Sequence, residues 1–479
     1  MSAFEAVIGL EVHAQLLTRT KLFCGCPNRF GAEANTHVCP VCLGLPGSLP
    51  VINGEAVRLA LLAALALDCK VQQKSQFARK QYFYPDLPKG YQISQFEEPY
   101  CLKGKLKIEV EGGEREIGIT RIHMEEDAGK SMHGVGGDSL VDLNRAGTPL
   151  IEIVSEPELR SSSEAAAYLR ELRNILIFLG VNDGNLEGGS FRCDDNVSLR
   201  PRGARTLGTR TELKNLNSFR FVQRAIDEEI ARQTAVVSSG GKVVQETRSF
   251  DPDTNTTRSL RSKEESHDYR YFPDPDLPPL VLSEARVSEA EASLPELPRA
   301  LRERWVRDFK LSEQAAQTLS SHPAYARFFS DCLALGGAPA KLANWILTEV
   351  LRGATQRGLE VDFLVTPRQV ADTLALVESG ELSGKQAKEL HAALEGSQKS
   401  AAEVVSEKGM RQVSDTGALR EIVDAVLAKS QKQVEQYRSG KTGVLGFFVG
   451  QVMKETRGQA NPKLVSELLE KALSGDGNE

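Results

Sequence analysis

The chain has 479 residues, room for two to four domains, and its 41% hydrophobic and 26% charged content is that of an ordinary soluble globular protein. A formal net charge of −6 argues against a protein that coats nucleic acid by bulk electrostatics, and leaves a local RNA-binding face open. No window approaches the ~20 apolar residues of a membrane span, and Met1 to Leu10 carries Glu5 but no Lys or Arg, so neither anchor nor export signal is expected and the reading is cytoplasmic.

In chain order, the first predicted element is a strand over Val7–Leu16. Leu10, Val12, Ala14 and Leu16 share one face, and Glu11, His13 and Gln15 share the other. A carboxylate and an imidazole two apart on a strand project in parallel and can take one cation or one water. The competing reading is a plain solvated sheet face. Cys24-Gly-Cys26 and Cys39-Pro-Val-Cys42 follow, with twelve residues between them. Two such pairs supply four thiolates to one tetrahedral zinc, and a filled shell makes that zinc structural rather than catalytic. Cys69, Cys101, Cys193 and Cys332 are scattered and read as core thiols, so the cysteine usage suits a reducing compartment.

A helix is predicted over Glu55–Leu67 behind an Asn53 cap. Aromatics and bases mix in Phe77–Asp86 and again in Asp268–Asp276. Most of these rings read as packed loop, while Lys80, Tyr82 and Asp86 are the residues able to line a polar passage. A strand over Glu114–Glu125 ends in the acidic run Glu125, Glu126 and Asp127, and Leu150–Val154 is the next strand. A helix over Glu164–Leu179 begins behind Ser161-Ser162-Ser163 and stops at Gly180. The strand Phe191–Leu199 sets Arg192, Asp194, Asn196 and Ser198 on one face. Arg210–Leu216 aligns Arg210, Glu212 and Lys214. A helix over Phe219–Ala235 and a strand over Val243–Phe250, with Glu246 and Arg248, complete the block. Short Asp and Asn interleaved with Arg suggest a lined cavity, and clustered hard oxygen ligands suit Mg²⁺, which keeps several waters and meets substrate phosphates.

Two stretches imitate a phosphate loop, Ala128-Gly-Lys-Ser131 and Ser439-Gly-Lys-Thr442. The leading glycine that such a loop needs is Met124 in one and Glu435 in the other, so both are rejected. The Pro-rich stretch Phe272–Pro279 closes the mixed region. From about Ser288 the pattern reads as helical, with a break near Glu403–Gln412, a last helix opening at Asn461-Pro462 and fraying over Ser474–Glu479. The expected fold class is α+β: a mixed block over residues 1–290, an all-helical domain over 291–407 and a small helical tail over 408–479.

Several long segments now occur in order. They are Gly9-Leu-Glu-Val-His13, Lys80-Gln-Tyr-Phe-Tyr-Pro-Asp86, Tyr91-Gln-Ile-Ser-Gln-Phe96 and His123-Met-Glu-Glu-Asp-Ala-Gly-Lys130. Val141–Pro157, Glu212-Leu-Lys-Asn-Leu-Asn217, Asp268–Asp276 and Gly446–Lys454 follow. Over nearly its whole length the chain resembles the B subunits of the aspartyl/glutamyl-tRNA amidotransferases. The resemblance implies a kinase-like cradle domain followed by the helical and tail domains, working in a heterotrimer with the A and C subunits of the amidotransferase. The A subunit would hydrolyse glutamine and pass ammonia through a tunnel. The B subunit would use ATP and Mg²⁺ to phosphorylate the side-chain carboxylate of Glu mischarged on tRNA(Gln), or of Asp mischarged on tRNA(Asn), before ammonia gives the amide. The cognate aminoacyl-tRNA synthetase is a further possible partner.

The resemblance and the strand faces together put Glu11, His13, Glu126 and Glu212 on Mg²⁺, with Glu125, Asp194 and Glu152 as second candidates. They put Lys80, Tyr82 and Asp86 on the ammonia path, Arg192, Asp194 and Lys214 at the nucleotide, and Zn²⁺ on Cys24, Cys26, Cys39 and Cys42. The tail around Gly443–Gly458, with Lys441, Lys454 and Arg457, would contact tRNA. From the residues themselves, a carboxylate is a poor electrophile and amide formation needs an activated leaving group. The chain has no Gly/Ser-rich amidase stretch, so ammonia must come from a partner. Two other classes compete: a non-catalytic zinc-stapled RNA-binding scaffold, which leaves the polar strand faces unexplained, and a stand-alone zinc hydrolase, which a four-thiolate site disfavours.

Overall fold

A computed structural model describes residues 3–133, 138–262, 269–410, 416–456, 460 and 462–474. The expectations placed on Asp268, Gln412, Arg457, Gly458, Asn461 and residues 475–479 lie outside the described residues. The chain divides into two compact units, the first ending at Ala300 and the second beginning at Leu301.

The first unit is built on a nine-stranded sheet. Its strands are β1 (Phe4–Gln15), β2 (Lys70–Val71), β3 (Cys101–Val110), β4 (Gly113–Glu126), β5 (Pro149–Ser155), β6 (Phe191–Pro201), β7 (Thr211–Lys214), β8 (Glu246–Asp251) and β9 (Thr256–Ser262). They lie in the order β9-β8-β7-β6-β1-β5-β4-β3-β2. Neighbours are antiparallel except β7 and β8, which are parallel. Alternation in β1 does what its pattern requires: Ile8, Leu10, Val12 and Ala14 are fully buried on one face.

That face is covered by α1 (Gly54–Ala66), α2 (Ser162–Phe178) and α3 (Phe219–Ser238), whose Ala60, Leu169, Leu172, Leu176, Val222 and Ile226 join the same core as β1. Each such Leu or Ile contributes roughly 1.5–3 kcal/mol through burial, and Leu169→Ala should cost about 2–5 kcal/mol. The helix starts follow their caps. The Asn53 side chain accepts from the Glu55 and Ala56 amides, Ser161 from Glu164, and Ser218 from Phe221. With its apolar face spent on the helices, the sheet presents its polar face on the other side.

Sequence patterning overlooked β3, in which Leu106, Ile108 and Val110 alternate with lysine and glutamate. Lys103, at φ 56°, and Gly104 interrupt the alternation at its start. It also overlooked β9. The two false phosphate loops sit in unrelated places. Gly129-Lys130 leads into a hairpin pairing Lys130–His133 with Ser139–Asp142, and Ser439-Gly440 ends a helix, Gly440 at φ 98°.

Among the described residues of the second unit, the structure is mainly helical, with one short hairpin. Thr355–Arg357 pairs with Glu360–Asp362 in a short hairpin turning at Gly358, where no strand was expected. Inside the window Glu403–Gln412, where a break was expected, a helix ends. Ser400 and Glu403 form a capping box that opens the helix Ala401–Lys408, and Gly409, left-handed at φ 60°, ends it. Beyond it, helices Thr416–Lys429, Leu445–Glu455 and Pro462–Ser474 bury Leu419, Val423, Phe448, Val452, Val465 and Leu469 in a core of their own.

Candidate active site

The polar face of β1 carries Glu11, His13 and Gln15. Antiparallel register sets His13 opposite Glu152 on β5 and Arg192 on β6, and sets Glu152 opposite His123 on β4. Opposed residues point to the same face, so the row His123, Glu152, His13, Arg192 crosses four strands on one side, and a slip of one residue would invert it. His13 Nε2 lies 3.2 Å from Glu152 Oε2 and 3.7 Å from Glu125 Oε1. His123 Nε2 lies 3.6 Å from Glu125 Oε2 and 3.7 Å from Glu152 Oε2. Ligand atoms of His13, Glu125 and Glu152 all fall within 4.8 Å of one another.

Electrostatics couple these groups. Burial alone would lower the His13 pKa, but the Glu152 hydrogen bond and the charges of Glu152, Glu125 and Asp194 raise it to about 9. Burial disfavours both carboxylates as anions. Even so, the His123 and His13 imidazoles and Lys80 hold Glu152 well below its usual range, and His123 draws Glu125 down.

One step along the sheet a second group of acids gathers. Glu11 pairs in register with Asp194, and its Oε1 accepts from Asn196 Nδ2 at 2.9 Å. Lys214 is ion-paired to Asp194 and lies 3.3 Å from Glu212 Oε1, while Thr247 Oγ1 donates to Glu212 Oε2 at 2.6 Å. Glu11 is pushed above its ordinary value by burial and then by the negative charges of Glu152, Glu212 and Asp194. Acids crowded until they raise one another are what a divalent cation relieves. The donors present, carboxylates with one imidazole, fit a hard cation such as Mg²⁺, and the buried Nδ1 of His123 has no hydrogen-bond partner.

Aromatic and basic groups stand around these acids. Lys80 Nζ sits 4.9 Å from the Tyr269 ring centre and 5.8 Å from that of Tyr82, and Tyr271 stacks on Phe96 at 4.1 Å. Burial, followed by carboxylate charges led by Glu125, pushes the phenols of Tyr82 and Tyr271 up. Asp86, one of the charges acting on Tyr82, is half-buried, and its carbonyl accepts from the Gly129 amide at 2.8 Å. Asp127 is buried under Arg192, whose two terminal nitrogens lie 3.1 Å from its oxygens, and it takes a further 2.9 Å bond from Gln15. A cavity of about 420 Å³ opens beside Glu11, lined by Gly9, Pro157, Asn196, Ser198 and Arg210 among others.

Glu126 does not join this face. As the neighbour of Glu125 on a strand it points the other way, where it is ion-paired to Lys89 and accepts from the Ile93 amide at 2.9 Å. There it lines a separate cavity of about 170 Å³ together with Cys24, Cys42, Lys89 and Tyr91.

The four cysteines converge as their spacing requires, every Sγ within 4.8 Å of the others and Cys39 and Cys42 at 3.9 Å. Tetrahedral zinc with Zn–S bonds of ~2.3 Å needs sulfurs about 3.8 Å apart, so the thiolate set fits the ion. Cys42 is drawn down to about 4, first by a hydrogen bond from Cys24, whereas burial pushes Cys26 up to about 11. That division is what four thiols sharing few protons produce.

Of the residues singled out from sequence, Glu11, His13, Glu125, Asp194, Glu212, Lys214 and Arg192 lie on one continuous face, bordered by Lys80 and Tyr82. Glu152 moves from the second rank of candidates to the centre. His123, Tyr269 and Tyr271 were not singled out. His123 had a readable signal, since it stands two residues before Glu125 on the same strand. The tyrosines come from the distant aromatic and basic stretch Asp268–Asp276, whose rings read as loop packing.

Residues 6–288 match the GatB/GatE catalytic domain family and residues 327–473 the GatB domain family. Full-length relatives agree. The B subunit of the aspartyl/glutamyl-tRNA(Asn/Gln) amidotransferase of Geotalea uraniireducens is 57% identical, covering 98% of this chain and 100% of that protein. The proteins of the same name from Anaeromyxobacter sp. and Myxococcus xanthus are 57% and 53% identical, each over 99% of this chain and covering 100% and 99% of those proteins. By family match and by full-length identity, this chain belongs to the GatB/GatE family.

Proposed function

We propose that this chain is the carboxylate-activating component of a tRNA-dependent amidotransferase, acting on Glu carried by tRNA(Gln), Asp carried by tRNA(Asn), or both. The observation that supports this best is the convergence of His13, Glu125 and Glu152 with Glu11, Asp194 and Glu212 on one sheet face beside a cavity of about 420 Å³. The names of the full-length relatives carry the substrate class.

In this reading the nucleotide occupies the cavity beside Glu11. A side-chain carboxylate oxygen attacks the γ-phosphorus, the bond to ADP breaks, and an acyl phosphate forms. Ammonia then attacks the acyl carbon, and phosphate leaves with the former carboxylate oxygen. His13, Glu125 and Glu152 would hold Mg²⁺, with Glu11, Asp194 and Glu212 alongside. Bound there, the ion would neutralise charge developing on phosphate oxygens. Lys214 and Arg192 keep their donors near the phosphates, steadied by Asp194 and Asp127. Lys80, Tyr82 and Asp86 border the route by which ammonia enters, and the half-buried tyrosine rings limit water that would compete for the acyl phosphate.

Ammonia comes from glutamine hydrolysis in a partner protein, the A subunit of the enzyme, and a small C subunit completes the heterotrimer. The zinc centre holds the loop that carries its cysteines, and the helices over 416–474 contact the tRNA. Among the described residues no helix is long and apolar enough to cross a membrane, and translation places the work in the cytoplasm. The test is reconstitution with the two partner proteins on Glu-tRNA(Gln) and Asp-tRNA(Asn), omitting glutamine, Mg²⁺ and ATP in turn. Amide that requires all three supports the reading. No amide on either tRNA, with glutamine hydrolysis intact, favours the scaffold.

A further inference from the structure

Lys21 is fully buried, and it ends against the cysteine cluster. Its Nζ donates to the His37 carbonyl at 2.7 Å and the Leu143 carbonyl at 3.4 Å, and lies 3.7 Å from Cys42 Sγ. No carboxylate of the described residues lies within ion-pair distance of it. Gly147, at φ 84°, lies beside the stem: a Cβ there would sit 3.5 Å, an ordinary van der Waals distance, from both Lys21 Cδ and Cys42 Cβ. These contacts place the ammonium beside the sulfur.

A buried charge stays in a fold only when something of opposite sign meets it. Two carbonyl dipoles satisfy donors but supply no charge. A dication bound by four thiolates leaves two negative charges uncompensated, and the sulfur nearest Lys21 belongs to that set. The Cys39 amide supplies one neutral donor to the same sulfur at 3.1 Å, so Lys21 brings the cationic one.

We infer that Lys21 is the buried counter-charge of the zinc–thiolate centre, a residue that sets the affinity of the site without ligating the ion. The inference rests on the reading of the four cysteines as a zinc site. Its geometry also ties the centre to the sheet. Lys21 holds the Leu143 carbonyl, and the Leu22 amide donates to Gly147, whose own amide donates to the Asp127 carbonyl.

The experiment compares the full-length chain with Lys21→Met, which keeps the apolar stem, and Lys21→Gln, which keeps a donor for the two carbonyls without the charge. Zinc affinity is read by competition with a chromogenic chelator, and site geometry by the sulfur-to-cobalt charge-transfer band after Co²⁺ substitution. Both variants should bind zinc about 10- to 100-fold more weakly, the usual effect of losing a partner of a metal ligand. The cobalt band should keep its four-thiolate position, and the zinc-loaded cysteines should react faster with iodoacetamide. Wild-type affinity in Lys21→Gln would overturn the inference and assign Lys21 to its hydrogen bonds alone. Failure of both variants to fold in excess zinc would overturn it too, since a counter-charge tunes affinity rather than the fold. A wild-type chain that binds no zinc would defeat the underlying zinc reading instead.

Discussion

His13 on β1 reaches Glu152 on β5 with Nε2 and Oε2 3.2 Å apart, and the register that makes them neighbours also sets Glu152 opposite His123. One carboxylate thus meets two imidazoles from the two flanking strands. Glu125 joins them, its carboxylate oxygens 3.7 Å from His13 Nε2 and 3.6 Å from His123 Nε2.

Glu152→Gln keeps the shape and removes the charge. Amide formation should fall about 10²- to 10³-fold, the scale of losing one electrostatic group from a preorganised site. The Mg²⁺ concentration giving half-maximal rate should rise at least tenfold, on the order of what losing one metal contact costs. A magnesium titration of the reconstituted enzyme measures both, and circular dichroism should be unchanged.

Glu126→Gln should behave differently although its neighbour in sequence is Glu125. Its carboxylate meets Lys89 and the Ile93 amide on the opposite face. The magnesium requirement should stay within about twofold of wild type, because no contact in the metal group is lost. Stability should fall by roughly 3–5 kcal/mol, since Lys89 is left buried and unpaired. Adding Lys89→Met should recover part of that loss in denaturant unfolding.

Asp195 gives a pH signature separate from catalysis. It lies on the apolar side of β6, fully buried, with Cys193 Sγ 3.0 Å from its Oδ1 and no partner for Oδ2. Burial raises its pKa to about 7. The folded state then holds a proton that the unfolded state has released, so stability present below pH ~4 is lost progressively as pH rises to about 7. The loss is on the order of 4 kcal/mol by pH 8. Asp195→Asn should flatten the dependence of Tm on pH across that window and raise Tm at pH 8. An unchanged slope would remove Asp195 as its cause.

The cysteine set should bind about one zinc per chain, measurable by metal analysis of protein purified without added zinc. Cys42→Ser should lower zinc content several-fold and Tm by roughly 5–10 °C, because metal binding and folding of the loop are linked.

How much of this was readable from sequence depended on whether the signal was local. Period-two alternation around Glu11 and His13 identified β1 and its polar face, and the cysteine spacing identified four converging thiolates. Asn53, Ser161 and Ser218 marked helix starts through their own side chains. What stayed hidden was set by pairing. Glu125 and Glu126 are equivalent in a list of acids, and only the register of β4 against β5 sends one to the cluster with His13 and Glu152 and the other to Lys89. Glu152 looked secondary because its value lies in standing between His13 and His123, two strands that are far apart in sequence. Tyr269 and Tyr271 reach the site from a loop more than a hundred residues downstream of Glu152, and the aromatic and basic mix of their segment reads by itself as loop packing rather than as part of this face. The hairpin at Gly358 was missed because its strands are three residues each, too short for alternation to register.

The central claim is that the side-chain carboxylate is phosphorylated before ammonia attacks. It is tested most directly by charging tRNA(Gln) or tRNA(Asn), whichever the reconstituted enzyme amidates, with Glu or Asp whose side-chain carboxylate carries ¹⁸O, and then following the label. The inorganic phosphate released should contain one ¹⁸O for each amide formed, because the leaving phosphate keeps the former carboxylate oxygen. Amide formed with phosphate free of label would contradict the claim.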